Sequence, residues 1–145
     1  MTRHQTPVMS VADLQQFLAA RFPQVNQQGD GALIVEDIGH MTCRMRLVIG
    51  ERHLRPGGTV SGPTMFTLAD VALYVAILGQ IGPVELAVTT SFTINFLRRP
   101  ALRDMIAECR LLKLGRSLAV GEVTILSEGA SEPVAHATGT YAIPR

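Results

Sequence analysis

The sequence predicts an α+β fold in which one curved antiparallel sheet wraps around a single long, buried helix. Residues 63–78 are apolar on nearly every side, which is typical of a helix that other structure covers. Two strand-like segments precede this helix and four follow it, with connections of hairpin length that favour antiparallel pairing. An apolar helix of that length needs a sheet curved around it.

The composition limits the classes of protein that the chain can represent. It has 145 residues, of which 47% are hydrophobic and 17% are charged, so it can bury a core and is not disordered. A net charge of +1 gives no electrostatic basis for binding nucleic acid. We expect one domain over residues 1–145, with an N-terminal helical extension in 1–30 and the core in 33–143.

Targeting and metal signals are weak. The start of the chain is polar, and Cys43 and Cys109 are its two cysteines, which favours reduced thiols and a cytoplasmic location. The longest apolar run, between Met65 and Leu78, is shorter than the ~20 residues that cross a bilayer, and it contains Asp70. The histidines show no metal-ligand spacing. We therefore expect no metal, no cofactor and no membrane partner.

The first half of the chain predicts one helix and two strands. Ser10 and Asp13 have the spacing of a capping box, and helical periodicity follows until Pro23. Residues 33–38 form a short predicted strand, and strict alternation from Met41 predicts a half-buried one. The periodic apolar positions of the helix are Val11, Leu14, Phe17, Leu18 and Phe22.

The rest of the chain predicts a loop, the buried helix and four strands. Glycine and proline throughout 50–63 predict a loop, and Pro63 suits the first position of a helix that runs to about Leu78 and stops at Gly79 and Gly82-Pro83. In the first strand after the helix, alternation places Val88 and Phe92 on one side and Thr89 on the other. The four predicted strands cover 86–97, 105–114, 118–126 and 134–143.

Asp70 is the most informative residue. Between residues 63 and 78 it is the only ionisable side chain apart from Tyr74, and an unpaired buried carboxylate costs several kcal/mol. Thr67 and Tyr74 lie three residues before it and four after it, so the three share one polar stripe. Hydroxyls or a partner subunit could satisfy the carboxylate. We favour a catalytic base or nucleophile, because serine or asparagine would serve a structural role more simply.

The start of the same helix is the second candidate element. A helix N-terminus presents free N–H groups and the positive end of the helix dipole, which suit an oxyanion. Gly62 permits close approach, and Pro63 removes one donor, which leaves the N–H groups of Gly62, Thr64 and Met65. Ser61 or Gly62 could also simply cap the helix, which is compatible with function.

Basic residues concentrate in one region of the sequence. Six of the 13 fall within residues 98–116, which suits either an anionic ligand or a solvated face. These six are Arg98, Arg99, Arg103, Arg110, Lys113 and Arg116.

Three segments, residues 53–62, 89–100 and 114–123, together resemble the PaaI-like (phenylacetate-degradation) group of hotdog-fold acyl-CoA thioesterases. They occur in the family's order, and the resemblance covers about residues 33–143. It implies a hotdog fold and a homodimer or homotetramer with active sites between subunits. The implied substrate is a small acyl-CoA, whose CoA moiety is not a separate cofactor.

The resemblance also implies roles for individual residues. Asp70, nine residues after Ser61, matches the carboxylate that activates water or attacks the thioester. Gly62 matches the glycine whose N–H polarises the thioester carbonyl. Thr89 or Thr90 matches a hydroxyl that the partner subunit contributes and that orients the water. Candidate contacts to substrate or CoA are Arg55, Thr67, Tyr74, Arg98, Arg99, Gly115 and Arg116.

Three positions depart from the family pattern. Ser61 replaces a histidine, Pro63 replaces a second glycine, and Arg55 replaces an asparagine that touches the site in many members. The first interpretation is a hydrolase of small acyl-CoA thioesters, aromatic or of short to medium chain length, with Ser61 as a secondary polar group. The changes at Ser61 and Pro63 favour the alternative, a non-catalytic acyl-CoA-binding protein. A hotdog dehydratase is disfavoured, because no histidine and carboxylate are suitably paired.

Overall fold

The computed structural model describes residues 6–22, 28–50, 53–55 and 59–144, with the side chains of Leu54 and Arg55 left out. The two helices are α1 (Val11–Arg21) and α2 (Gly62–Ile81). The strands are β1 (Leu33–Gly39), β2 (Thr42–Leu47), β3 (Leu54–Arg55), β4 (Thr59–Val60), β5 (Val88–Phe96), β6 (Met105–Leu114), β7 (Leu118–Ser127) and β8 (Ala135–Ala142).

Six strands form one antiparallel sheet around α2. Their order is β1-β2-β6-β7-β8-β5, so β1 and β5 are the two edges. Helix α2 contacts all six strands, which requires the sheet to curve around it. The predicted α+β fold, with its central helix and short N-terminal helix, is confirmed.

Helix α2 is longer than the sequence pattern predicted: of the two predicted stop signals, Gly79 does not end the helix and Gly82 does. Gly79 lies inside the helix. A Cβ at this position would come within 2.6 Å of Ile38 Cδ1, so close packing and not a helix break explains the glycine. The helix ends instead at Gly82, which has a positive φ of 98°. Ser61 is the N-cap, so Pro63 takes the second helical position and not the first.

The extra length gives α2 the dimensions of a membrane span. Among the described residues it is the one helix long and apolar enough to cross a bilayer, with a mean hydropathy of 1.6. However, 61% of that window is buried inside the fold. The sheet already covers the apolar surface that a membrane would otherwise take.

Helix α1 is fixed against β1 and the core. Its predicted capping box is present: Ser10 Oγ accepts a hydrogen bond from Asp13 N at 3.1 Å, and Asp13 Oδ2 accepts one from Ser10 N at 3.0 Å. The Gln15 amide donates to Leu33 O at 3.1 Å and accepts from Val35 N at 2.7 Å. Because Gln15 bonds the backbone of an edge strand, it holds α1 across the open side of the sheet.

Two local features differ from the sequence pattern. Within the predicted loop, β3 and β4 form a short antiparallel ladder, in which Leu54 pairs with Val60. In β5 the register with β8 shifts between Thr89 and Ser91, and this bulge reverses the alternation. Thr89 therefore lies on the same side as Phe92, and Val88 is exposed, contrary to the strict alternation predicted.

The helix approaches the sheet most closely at two glycines. Gly121 of β7 and Gly139 of β8 are register partners. A Cβ at Gly121 would lie 2.5 Å from Leu73 Cδ1, and one at Gly139 would lie 2.8 Å from Leu73 Cδ2. Leu73 is fully buried. These two glycines therefore form the surface on which Leu73 of α2 packs.

Candidate active site

Asp70 lies in the middle of α2, and two hydroxyls bond one of its carboxylate oxygens. Thr89 Oγ1 donates to Asp70 Oδ1 at 2.8 Å, and Tyr141 OH donates to the same oxygen at 2.8 Å. Tyr141 OH also lies 3.0 Å from the Asp70 carbonyl oxygen. No hydrogen bond from the described residues reaches Oδ2. One oxygen is thus held in place, and the other is available to a substrate or water.

Tyr141 was missed in the sequence. Burial raises the pKa of its phenol far above the ordinary value, and the Asp70 carboxylate raises it further, so the hydroxyl remains a donor. A usable signal was present: the other inward positions of β8, Ala135, Ala137 and Gly139, are small and apolar. A single large polar side chain in such a row requires a buried partner.

The bulge in β5 decides between the two candidate threonines. Thr89 faces inward and bonds Asp70, whereas Thr90 is exposed and donates to Thr140 O at 3.2 Å. The structure therefore brings Thr89 to the carboxylate and leaves Thr90 apart from it. Thr89 bonds the Asp70 of its own chain, and the water-orienting role that the resemblance assigns to a threonine of the partner subunit stays a prediction.

The polar stripe predicted on α2 does not form a network. Thr67 Oγ1 donates to Pro63 O at 3.1 Å, and Tyr74 OH donates to Glu85 O at 3.2 Å. Both hydroxyls thus bond backbone carbonyls and not Asp70. The partners of the carboxylate come from the sheet instead of its own helix.

An apolar cavity of about 380 Å³ opens beside Asp70, and we name it the Asp70 cavity. Asp70, Thr89 and Tyr141 form its polar end. Its volume lies at the low end of the range for ligand sites, roughly 300–1,000 Å³. The remaining walls come from α1, α2 and the segment before β5, and they are Leu18, Phe22, Val71, Tyr74 and residues 85–88.

At the start of α2, most of the predicted donors are already used. Ser61 Oγ accepts from Thr64 N at 3.3 Å, and Ser61 O accepts from Met65 N at 3.3 Å. Pro63 has no N–H. The Gly62 N–H is the donor of this first turn with no partner among the described residues. Ser61 therefore caps the helix, and Gly62 keeps the donor that the resemblance assigned to it.

Gly62 opens onto a second, shallow apolar groove of about 460 Å³, which we name the Gly62 groove. Pro63, Phe66, Ile94 and Phe96 line it, together with Thr67. The Phe96 ring packs so closely that its Cζ would lie 3.2 Å from a Cβ at Gly62. Phe66 and Phe96 are 37% and 52% exposed, which is unusual for aromatic side chains.

Gly62 and Asp70 of one chain cannot act on the same bond. The α-helix rises about 1.5 Å per residue, so eight residues separate them by about 12 Å along the axis. A reacting carbonyl needs both groups within about 3 Å. The donor and the carboxylate therefore belong to different sites unless a second copy of the chain brings them together.

The basic candidates lie at opposite ends of the sheet. Arg98 and Arg99 come after the end of β5, whereas Gly115 and Arg116 form the turn before β7. The first residue of β7 and the first residue of β5 both pair with Ala142 of β8, so this turn lies at the level where β5 begins. Nine residues of β5 separate these ends by about 26 Å. Arg98 already bonds Pro133 O and lies 3.4 Å from Glu132.

Gly115 and Arg116 lie in the turn between β6 and β7. Arg116 is exposed, and the Gly115 N–H donates to Leu118 O at 2.8 Å, which closes this turn. The Arg55 side chain lies outside the part of the chain that the structure describes. Its predicted contact to the substrate stays a prediction.

The comparison with known families decides the assignment. A sequence model of the thioesterase superfamily matches residues 57–134, more than half of the chain. The chain belongs to the thioesterase superfamily. The matched residues begin after α1 and end before Tyr141.

Individual relatives of this thioesterase agree. A crystal structure described as a thioesterase from Silicibacter sp. is 46% identical, with a TM-score of 0.87, and covers 99% of this chain and 97% of that chain. A Pseudomonas aeruginosa protein named as an esterase is 31% identical over 120 residues, which are 77% of this chain and 88% of that protein. The phenylacetic acid degradation protein PaaI from Thermus thermophilus, in a mutant form, is 26% identical, with a TM-score of 0.68, and covers 89% of this chain and 99% of that chain.

These matches confirm the predicted PaaI-like hotdog thioesterase family and support a thioester hydrolase. The geometry suits that chemistry. A carboxylate with one free oxygen, at the polar end of an apolar cavity, can take a proton from water or attack a carbonyl carbon.

Proposed function

We propose that this thioesterase hydrolyses small acyl-CoA thioesters, with Asp70 as the reacting carboxylate. The observation that carries the proposal is the fixation of Asp70 Oδ1 by Thr89 and Tyr141, which leaves Oδ2 without a hydrogen bond from the described residues, on a side chain that lines the Asp70 cavity. Held in this way, the carboxylate needs no further rotation before it reacts, which lowers the entropic part of the barrier.

In one version of the reaction Asp70 is a general base. Its Oδ2 takes a proton from water as the water oxygen bonds to the thioester carbon, and the carbonyl oxygen becomes an oxyanion. The Gly62 N–H of a second copy of the chain donates to that oxyanion. The C–S bond then breaks, the sulfur takes the proton, and an acid and the free thiol leave. In the other version Oδ2 attacks the carbon itself, the C–S bond breaks, and the CoA thiolate leaves and takes a proton from water. Water then hydrolyses the resulting anhydride, which releases the acid and restores the Asp70 carboxylate.

We propose that each active site forms between two copies of the chain. Within the described part of the chain the outer side of β5 has no strand partner, and an exposed edge of nine residues favours pairing with a second chain. Phe96 packs on Gly62, and Thr89 bonds Asp70, so opposite ends of β5 carry the two halves of a site. Antiparallel pairing of β5 with its own copy would set the Gly62 end of one chain beside the Asp70 end of the other.

The same pairing supports the roles proposed for the arginines. Arg98 and Arg99 of one chain would come to the end of the dimer where the partner carries its Gly115–Arg116 turn. The two groups are about 26 Å apart within a single chain, so only a dimer would let both approach one CoA. We propose that Arg99 and Arg116 contact its phosphates, as guanidinium groups suit phosphate oxygens.

The test is hydrolysis of a panel of acyl-CoA substrates, in which a thiol reagent measures the free CoA thiol that is released. We expect turnover by the wild-type protein and loss of most activity in Asp70→Asn. This substitution nearly retains the size of the side chain, so the variant should keep the fold. Equal kcat in both proteins would contradict the role of Asp70. If the wild-type protein binds acyl-CoA tightly and hydrolyses none of the panel, the non-catalytic binding protein is the correct alternative.

A further inference from the structure

Helix α1 crosses the open side of the hotdog core and reaches the Asp70 cavity. Leu14 and Leu18 are almost completely buried, and Gln15 fixes the helix on β1. At the other end, Arg21 Nε lies 3.9 Å from the Glu85 carboxylate, in the segment that leads into β5. The helix therefore reaches from the edge strand β1 to the segment that precedes the other edge strand, β5.

The last residue of this span forms the wall of the cavity. Phe22 is half-buried, caps α1, and its ring meets that of Tyr74 edge to face, with centroids 5.2 Å apart and an interplanar angle of 75°. Leu18 and Phe22 line the cavity from α1, and Val71 and Tyr74 line it from α2. Asp70 stands at one end of this cavity and Phe22 belongs to its apolar wall.

The chemistry of the wall determines what can occupy it. Besides Asp70 and its two hydroxyl partners, the polar side chains that line the cavity are Tyr74, whose hydroxyl bonds Glu85 O, and Glu85 itself. A polar occupant would find few donors, and an acidic one would face the carboxylates of Asp70 and Glu85. An uncharged hydrocarbon group fits the apolar wall, and a volume of about 380 Å³ limits it to a small or medium size.

We propose that the Asp70 cavity binds the acyl group of the substrate and that Phe22 of α1 determines how long that group can be. The inference rests on the proposed function, because it takes the thioester carbon to react at Asp70. The carbonyl lies at the polar end, the acyl chain extends beneath α1, and the Phe22 ring limits its length. The specificity of the enzyme is thus set by a helix that precedes the residues matched by the superfamily's sequence model.

Three variants test the role of Phe22. Phe22→Ala enlarges the cavity, and Phe22→Trp reduces it. Phe17→Ala is the matched control, because Phe17 is a half-buried phenylalanine of the same helix that does not line the cavity. The profile of kcat/KM is measured on straight-chain thioesters from acetyl-CoA to dodecanoyl-CoA.

We expect Phe22→Ala to favour longer chains, raising the ratio of kcat/KM for long over short substrates by at least about 10-fold, since one methylene in such a pocket is worth roughly 10–200-fold. Phe22→Trp should move the optimum to shorter chains, and Phe17→Ala should keep the wild-type profile. If both Phe22 variants keep the wild-type profile, or if Phe17→Ala shifts it equally, Phe22 does not set the acyl length.

A second measurement separates this inference from the proposed function. Calorimetry of the same acyl-CoA series on Asp70→Asn, with and without Phe22→Ala, needs no turnover. A shift toward longer chains in Kd supports the acyl wall even if the wild-type protein hydrolyses nothing, which would overturn only the proposed function. Unchanged Kd values across the series, alongside normal hydrolysis by the wild type, would overturn only the role of Phe22.

Discussion

The hydroxyl of Tyr141 lies 2.8 Å from Oδ1 of Asp70, and this contact joins the last strand of the sheet to the middle of the central helix. Thr89, which is the register partner of Tyr141 on the neighbouring strand β5, is the second donor to the same oxygen. A carboxylate that accepts two hydrogen bonds on one oxygen has a defined orientation. The reacting oxygen is selected by the sheet and not by the helix that carries Asp70.

Tyr141→Phe should lower kcat with little change in KM. A hydrogen bond to a charged group is worth about 1.5–3 kcal/mol, so its loss should cost about 10- to 100-fold in kcat. Thr89→Val should act in the same direction, and Thr89→Ser should restore most of the activity because it keeps the hydroxyl. Steady-state kinetics on one acyl-CoA measures all three. A fall in KM and kcat together, or full activity in Tyr141→Phe, would argue against this positioning role.

Two inactive variants should restore each other if the site forms between chains. Gly62→Pro removes the oxyanion donor while it remains compatible with the first turn of a helix. Asp70→Asn removes the carboxylate. A mixed dimer then has one complete site, so subunits exchanged at equal concentration should recover about a quarter of the wild-type activity. Activity after mixing that stays at the level of the separate variants would place the whole site within one chain.

Ser61→His should change the pH dependence of hydrolysis. Serine does not titrate near neutrality, whereas histidine has an ordinary pKa of about 6.5. We expect Ser61→His to raise activity or to add a pH dependence near 6–7 to kcat/KM. Pro63 fixes the second position of the helix, so the double variant with Pro63→Gly is the fairer comparison. A pH profile identical to that of the wild type in both variants would show that position 61 does not reach the substrate.

The protein should lose stability at alkaline pH. Burial raises the pKa of Tyr74 to about 12, and the charge of Glu85 adds to the effect, whereas the unfolded tyrosine titrates near 10. The hydrogen bond with Cys109, together with burial, raises the pKa of Cys43 well above its usual 9. Between the ordinary pKa values of these groups and their raised values in the fold, the unfolded chain binds fewer protons than the folded one, so the free energy of unfolding falls as pH rises.

Urea unfolding between pH 8 and 12 measures this effect. The free energy of unfolding should be constant at the low end of that range and then fall from about pH 9 upward. Tyr74→Phe removes one of the titrating groups, so its decline between about pH 10 and 12 should be shallower. A wild-type protein that is equally stable at pH 8 and pH 11 would contradict the assignment.

Periodicity and spacing predicted most of the fold, because the signals were local. The capping box of Ser10 and Asp13, the alternation of β2 and the apolar surface of α2 each depend on residues close in sequence. The antiparallel pairing of β6, β7 and β8 followed from the hairpin length of their connections. Gly79 was read as a helix end because the side chain that demands a glycine there, Ile38, is distant in sequence.

The site was only partly predictable for the same reason. Asp70 stood out as a lone acid in an apolar helix, but its partners could not be found from helical spacing. Thr67 and Tyr74 share its face and bond elsewhere, whereas Thr89 reaches it because of a bulge that the alternating pattern hides. Tyr141 lies 71 residues away, so only the folded sheet brings it to the carboxylate.

The glycine pair on which Leu73 packs has a consequence for how the chain can change. Gly121 and Gly139 let backbone and not side chains set the distance from α2 to the sheet, and Leu73 follows Asp70 by less than one turn. A methyl group at either position would displace the helix and misplace the carboxylate against Thr89 and Tyr141. The clash at both positions involves the Cδ atoms of Leu73. A chain that gains a methyl group at position 121 or 139 therefore needs a smaller side chain at position 73, whereas the wall formed by α1 can vary without that change.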